Sequence, residues 1–336
     1  MSQTEPVRVG IYGTGTFANG THIPNIIQFD NVVISAVCDA DPKAASETAA
    51  KFSVKNVFTD AHKMLAEVKI DALYSIVPAF ARTDVESTAA RMGIHLFSEK
   101  PQALDMKIAM AIDEAVAESG VISTVGFRER YRPIFQEARR LLEGKRIVHI
   151  RFQQISGPPP KNQPLDRGSW GSQMKLGGVR FFDWGVHATD YTRFMTGLDI
   201  TKAQAFLCHP EEYQTPLSSS FHYALSNGAT ATLTFIEADP AGLGTEAYFT
   251  IHFEGGRIKV FGYERIELND EVVYEAEPFD PWLAQDRTFI EAVRSGNRKG
   301  LLSDYHDGLF SLAPILAGWE STRQNGACID VGSLMV

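Results

Sequence analysis

Apolar positions change their period twice along the chain. Up to about Gly126, short runs rich in Val and Ile alternate with segments whose apolar residues recur at helical spacing. Strands are expected over Val7–Tyr12, Val32–Cys38, Ala72–Val77, His95–Ser98 and Val121–Gly126, and helices near Pro42–Phe52, Thr83–Met92 and Asp105–Glu118. Short apolar strands separated by amphipathic helices predict a parallel sheet covered on both faces. After a helix near Pro133–Leu142 the runs lengthen and follow one another directly: Ile147–Ile155, Ala203–Cys208, Ser219–Leu225, Ala229–Glu237, Ala247–Phe253 and Ile258–Phe261. Asn227-Gly228 is a hairpin signal between two of them. Consecutive strands predict an open, largely antiparallel sheet. Thr230, Thr232 and Thr234 alternate with Ala231, Leu233 and Phe235, so one face of it is polar or half-exposed. Trp282–Arg294 and Ser303–Thr322 return to a helical pattern. The fold class is therefore α/β with two domains, 1–126 and 127–336, and the C-terminal helices can pack back on the first.

The first strand breaks into Gly13-x-Gly15-x-x-Ala18, and the second ends at Asp39. A strand, a glycine turn, a helix start and an acid in that order define a dinucleotide-binding βαβ unit. Gly13 permits the turn, Gly15 lets the backbone approach a pyrophosphate, and Ala18 lets helix and strand pack closely. Thr16 and Phe17 lie in the same turn, where a helix N-terminus favours negative charge. Asp39 suits the adenosine ribose hydroxyls and repels a 2′-phosphate. Ala40, Asp41 and Pro42 supply no offsetting cation, so NAD is expected over NADP; Lys43 is the nearby cation that keeps NADP open.

Composition narrows the partners. The chain has 336 residues, 44% hydrophobic and 22% charged, with a net charge of −9. That length allows two cores, and an acidic chain without a basic block is a poor nucleic-acid binder. No apolar run is long enough to span a bilayer. The start, Met-Ser-Gln-Thr-Glu-Pro, lacks the regions of a signal peptide, and a cytoplasmic location is expected. Cys38, Cys208 and Cys328 are far apart, so neither a disulfide framework nor a metal site is expected.

Two clusters carry candidate chemistry. Glu99-Lys100-Pro101 follows a parallel strand, whose carboxyl end faces the ligand crevice in such sheets. The turn there can accommodate a cis proline, and an exposed loop lysine satisfies the same pattern. Asp183 and His187 are spaced to share one face of a helix. A carboxylate beside an imidazole stabilises its charged form and fixes its orientation, which suits a general base. An ordinary surface pair, or a helix N-terminal acid with a structural histidine, fits that spacing too. Ser156 to Gly178, with Pro158-Pro159-Pro160 and Pro164, is a long connection that can be a lid or an intersubunit arm.

Taken together, Gly13-x-Gly15-x-x-Ala18, Asp39, Glu99-Lys100-Pro101, Gly126-Phe127 with Arg130-Tyr131-x-Pro133, Gly177-Gly178 and Asp183-x-x-x-His187 resemble the Gfo/Idh/MocA oxidoreductases, which include glucose-fructose oxidoreductase and inositol dehydrogenase. The matching motifs cover the first two-thirds of the chain. The resemblance implies a Rossmann domain followed by an α/β domain with an open sheet, a sugar- or polyol-like substrate, and a Lys100, Asp183 and His187 constellation. Where the family has Thr-Pro-Asn-x-x-His near the cofactor, this chain has Val77-Pro78-Ala79-Phe80-Ala81-Arg82. Pro78 is kept, and Arg82 becomes a candidate contact to a cofactor phosphate, a ribose or the substrate. Gly171 follows Trp170 where the family often has Arg, and Val179 replaces a third glycine.

The reaction expected is hydride transfer between a secondary hydroxyl of a sugar, polyol or sugar acid and the nicotinamide. His187 takes the hydroxyl proton, Lys100 holds the oxygen, and Asp183 orients the imidazole or binds a neighbouring hydroxyl. Cofactor contacts are expected from Gly13, Gly15, Thr16, Phe17, Ala18, Asp39, Pro78, Arg82, Glu99 and Lys100. Arg128, Arg130, Tyr131 and Trp170 are candidate substrate contacts. Two alternatives share these motifs: an NAD-dependent glycoside hydrolase or lyase working by transient oxidation, and a non-catalytic NAD-binding sensor. An open sheet face with few helices to cover it predicts a homodimer or homotetramer.

Overall fold

The computed structural model describes residues 5–159, 161 and 174–336. They form two compact units. One runs to Tyr131 and is rejoined by Asp280–Leu309; the other comprises Arg132–Phe279 and Phe310–Val336.

The first unit is built on a six-stranded parallel sheet in the order β3-β2-β1-β4-β5-β6. Its strands are β1 (Val7–Tyr12), β2 (Val32–Cys38), β3 (Asn56–Phe58), β4 (Ala72–Ser75), β5 (His95–Ser98) and β6 (Ser123–Val125). The strand order reverses between β1 and β4, the topological switch point at which such sheets open a crevice beyond their carboxyl ends. The helices are α1 (Ile23–Ile26), α2 (Pro42–Phe52), α3 (Ala61–Glu67), α4 (Val85–Arg91) and α5 (Met106–Ser119). Local chemistry sets several helix boundaries. The Asp41, Asp60 and Asp105 carboxylates accept first-turn N–H groups of α2, α3 and α5, and left-handed Ser53 and Gly120 end α2 and α5.

Val9, Ile11, Ile23, Ile26, Tyr74 and Phe97 form the core beneath this sheet. Helix α9 (Pro281–Ser295) completes it with Phe289, Ile290 and Ala292. The first unit therefore takes a late segment of chain into its own core. The division also falls beyond Gly126, because the helical turn Arg128–Tyr131 packs on α9.

The second unit carries a nine-stranded sheet, β14-β13-β12-β11-β7-β10-β9-β8-β15. Its strands are β7 (Ile147–Ser156), β8 (Ile200–Cys208), β9 (Ser218–Leu225), β10 (Thr230–Glu237), β11 (Phe249–Phe253), β12 (Gly256–Phe261), β13 (Arg265–Leu268), β14 (Glu271–Glu275) and β15 (Ile329–Asp330). The sheet is mixed: β7 and β10 pair in parallel at its centre, with Phe152 opposite Leu233, and the other pairs are antiparallel. At the hairpin between β9 and β10, Asn227 Oδ1 accepts the Ala229 N–H at 2.9 Å and Gly228 sits at φ 86°.

Alternation along the strands separates two faces. Phe152, Phe221, Leu233, Phe235, Phe249 and Ile251 are buried. Helices α6 (Pro133–Leu142), α7 (Arg180–Asp183), α8 (Gly185–Thr196) and the later turns of α10 (Tyr305–Arg323) belong to this unit. A Cβ on Gly318 would lie 2.4 Å from the Phe221 ring, so the missing side chain lets α10 lie directly on the sheet. The other face carries Thr230, Thr232, Thr234, Ser220, His222, His149 and His252, all half-buried or exposed.

Candidate functional site

The glycine turn leaves β1 at its carboxyl end. Gly13 has φ 96°, and a Cβ there would meet the Ile76 backbone at 2.8 Å, so both conformation and space demand glycine. Gly15 and Thr16 are exposed, and nothing lies within 4 Å of a Cβ built on Gly15. Phe17 and Ala18 turn inward: Ala18 is fully buried, and the Phe17 ring meets His22 edge-on at 5.0 Å.

Asp39 closes the turn from the neighbouring strand. Its Oδ2 accepts the Thr14 N–H at 2.7 Å and hydroxyl at 3.1 Å, and its Oδ1 accepts the Asp41 N–H at 2.9 Å. The carboxylate is half-buried and held in one orientation, with lone pairs left for a diol. A turn left open at Gly15, beside a fixed acid, fits a dinucleotide.

The end of β5 sits two strands from β1 in the same sheet. The Lys100–Pro101 peptide bond is cis. Lys100 is half-buried, and its N–H donates to Glu99 Oε2 at 3.0 Å. The Glu99 side chain is buried. Its Oε1 lies 3.2 Å from His22 Nε2, and a Cβ on Gly126 would come within 2.5 Å of the same oxygen.

Arg82 also turns inward, contrary to the expectation of a ligand contact. Its guanidinium is buried and donates to Glu86, to the Glu99 carbonyl, to Ser98 Oγ at 2.7 Å and to Ser75 Oγ at 3.2 Å. A buried arginine needs that many acceptors, and it finds them by bracing the ends of β4 and β5. Pro78 is half-buried and leads into the short helical turn Ala79–Ala81.

Arg128, Arg130 and Tyr131 bind within their own unit rather than presenting an open basic face. The Arg128 guanidinium lies 4.6 Å over the Trp282 ring, and its Nε is 3.0 Å from Glu129. Arg130 pairs with Asp307 at 2.5 Å and donates to the Leu302 carbonyl at 2.6 Å. The Tyr131 hydroxyl accepts the Leu302 N–H at 3.3 Å. Trp170 lies outside the described residues, as does most of the connection expected to be a lid or arm.

In the second unit Asp183 ends α7 and His187 lies in the first turn of α8. The backbone between them stays right-handed at Trp184, so the two short helices run on with only a local break. Asp183 is half-buried. His187 is 2% exposed, its ring 5.7 Å from both Trp184 and Tyr191. Tyr191 stacks in turn on Phe135 at 4.8 Å. Helix α8 is clamped to α10: Thr189 Oγ1 donates to the Ser311 carbonyl at 2.6 Å, and Ser311 Oγ donates to Asp190 at 2.9 Å. A Cβ on Gly185 would lie 2.5 Å from Ile315, so that contact too depends on glycine. Near α7, Arg180 Nε lies 3.8 Å from Glu237, whose carboxyl is pushed up by burial and partly restored by that arginine.

Sequence reasoning missed His22 and Asp286. His22 Nδ1 lies 2.8 Å from Asp286 Oδ1, and Asn25 Nδ2 donates to Asp286 Oδ2 at 2.8 Å. A histidine one turn past Ala18 was the available sign, but its partner is far away in sequence.

Among the described residues no group of His, Cys, Asp and Glu is placed to hold a metal ion, and no helix is long and apolar enough to cross a membrane.

The parallel sheet, its glycine turn and the fixed acid define a dinucleotide-binding α/β protein with a second, sheet-bearing unit. Residues 7–127 match the Gfo/Idh/MocA profile described as an oxidoreductase family with an NAD-binding Rossmann fold, and residues 135–259 match a C-terminal domain of the same family. The chain belongs to the Gfo/Idh/MocA family of oxidoreductases. Its first unit carries that family's NAD-binding Rossmann domain.

Among its relatives, the scyllo-inositol 2-dehydrogenase (NAD(+)) of Bacillus subtilis is 28% identical over 62% of this chain and 57% of its own length. The inositol 2-dehydrogenase of Rhizobium meliloti is 29% identical over 91% of this chain and 94% of its own. A solved oxidoreductase from Thermotoga maritima superposes with a TM-score of 0.83 at 23% identity, covering 98% of this chain and all of the other. At that identity the superposition speaks for the fold.

Proposed function

We propose that this chain transfers a hydride between NAD and a secondary hydroxyl of a sugar, polyol or sugar acid. The observation that carries the reading is the carboxyl edge of the first unit's sheet. There β1 ends in an open glycine turn against Asp39, and two strands away β5 ends in Lys100, its backbone fixed by Glu99. Bound NAD supplies the hydride acceptor. Gly13, Gly15, Thr16 and Ala18 shape its pyrophosphate turn, and Asp39 takes the ribose hydroxyls and disfavours a 2′-phosphate.

Lys100 is assigned to hold the reacting oxygen and stabilise negative charge on it. His187 is assigned to take the hydroxyl proton, and the clamped α8 holds its ring for that task. Asp183 is assigned to orient the imidazole or bind a neighbouring hydroxyl. Some of the relatives support this substrate class, being named as dehydrogenases of inositols, of levoglucosan and of D-glucosides. Arg82, which with Ala79 left room for a non-catalytic sensor, is buried in an ion pair with Glu86 and so has a role in the fold. A second copy of the chain is assigned to the Ser, Thr and His face of the larger sheet; light scattering tests that assembly.

The test is a panel of cyclitols, sugars and sugar acids with NAD, followed by absorbance of the reduced nicotinamide. Turnover with at least one polyol is expected. Release of a leaving group without accumulation of NADH would transfer the assignment to a lyase or hydrolase.

A further inference from the structure

Five groups form a continuous buried chain inside the first unit. Asn25 donates to Asp286 at 2.8 Å, Asp286 meets His22 Nδ1 at 2.8 Å, His22 Nε2 meets Glu99 Oε1 at 3.2 Å, and Glu99 Oε2 accepts the Lys100 N–H at 3.0 Å. The side chains of His22 and Asp286 are at most 1% exposed, and that of Glu99 is 9% exposed. Phe17, Phe97 and Tyr74 surround the imidazole with ring centroids 5.0 to 5.7 Å away. Gly126 is kept without a side chain by the Glu99 carboxylate.

The cluster joins three places: the helical turn Ala18–His22 that follows the glycine turn, the end of β5, and α9. Two buried carboxylates on one imidazole are expensive unless each serves its partners. Here one is anchored by Asn25 and the other holds a backbone N–H. Burial works against a charge on His22, but Asp286 and Glu99 outweigh it and push the imidazole up to about 10. The bridge is then charge-assisted on both sides at neutral pH.

We propose that His22 and Asp286 are positioning residues: they fix the Glu99 carboxylate and, through its bond to the Lys100 N–H, the direction in which the Lys100 side chain leaves β5. The proposal rests on the reading of Lys100 as the group that holds the reacting oxygen. It also gives the turn that receives the nucleotide a direct mechanical link to that lysine. His22 acts only through Glu99 and touches no reacting atom.

The experiment uses the whole chain with NAD and the polyol found active in the panel, and follows the Lys100 backbone amide by NMR. In His22→Gln and Asp286→Asn, the Lys100 amide proton should move upfield and exchange faster. Turnover should fall about tenfold to a hundredfold, the scale of a misplaced reacting group, while NAD affinity changes less than about twofold. Asp286→Asn has a further signature. With one carboxylate gone, His22 loses its proton nearer the ordinary histidine range, so the Lys100 amide shift should acquire a transition there that the natural chain lacks.

The titratable groups packed about His22 are Asp286 from α9, Glu99 after β5 and the Tyr74 phenol from β4, with Tyr131 close to Asp286. Burial holds both phenols above their usual range, so neither supplies that transition. Asn25→Ala removes only the outer bond and should move the amide less, in the same direction; it serves if His22→Gln fails to fold. An unmoved Lys100 amide in folded variants, or unchanged turnover, overturns the proposal. A natural chain inactive on every polyol, with an amide that still responds, sinks the dehydrogenase reading and supports the linkage.

Discussion

The Asp39 carboxylate accepts the Thr14 N–H at 2.7 Å, so the acid assigned to the ribose is held by the glycine turn assigned to the phosphates. The Thr14 N–H and hydroxyl and the Asp41 N–H together fix the orientation of the carboxylate. In the proposed reading a 2′-phosphate would bring a second negative charge beside it.

NAD should therefore bind more tightly than NADP. Asp39→Ser combined with Ala40→Arg should reverse that order. Titration of both cofactors into the natural and doubly substituted chains checks it, and tighter NADP binding by the natural chain would bring Lys43 forward.

Lys100→Met should abolish turnover while leaving NAD affinity nearly unchanged, because the nucleotide turn lies two strands away. His187→Ala should slow turnover by about a hundredfold or more. It should also remove the acidic limb of the rate profile, since a base acts only when unprotonated. Steady-state rates against pH, with cofactor binding measured separately, distinguish these effects from a folding defect.

Arg82→Ala should destabilise the first unit by about 3–5 kcal/mol, the usual result of leaving a buried carboxylate without its partner. Removing both charges with Arg82→Met and Glu86→Leu should recover most of that loss. Denaturant unfolding of the three variants tests the coupling; a harmless Arg82→Ala would contradict the buried pairing.

Stability should respond to alkaline pH through His22. Its ordinary pKa of 6.5 rises to about 10 in the fold, so between those values the native chain holds a proton that the unfolded chain has lost. The stabilising contribution is complete below about pH 6.5, declines as pH rises, and is gone above about pH 10. Unfolding free energies measured from pH 6 to pH 10 should fall less steeply in His22→Gln than in the natural chain.

Much of this was legible from local pattern. Val32–Cys38 and His95–Ser98 read as strands because a parallel sheet buries both faces of its strands. The hairpin at Asn227-Gly228 followed from turn chemistry. The hairpin of β13 and β14 was missed: Arg265, Glu267, Glu271 and Glu275 interrupt its apolar pattern, and Val272 and Val273 are exposed. Asn269 and Asp270, both at positive φ, were the sign to read. The parallel pairing of β7 with β10 left no local trace, because strands distant in sequence choose partners through the whole sheet. Lys100 could be nominated from its strand end. The inward turn of Arg82 and Glu99 could not, since it depends on Ser98, Glu86 and a histidine on another element.

The return of Asp280–Leu309 to the first unit bears on how the protein is made. A nascent polypeptide that has emerged only as far as Tyr131 has all six strands of the parallel sheet, but not Phe289, Ile290 and Ala292 of its core, nor the Asp286 carboxylate that balances His22. The nucleotide-binding unit thus cannot be finished in the order in which it is translated. It must wait, partly open, while the whole second sheet except β15 is synthesised, and excision at the Gly126 or Tyr131 boundary yields an incomplete core.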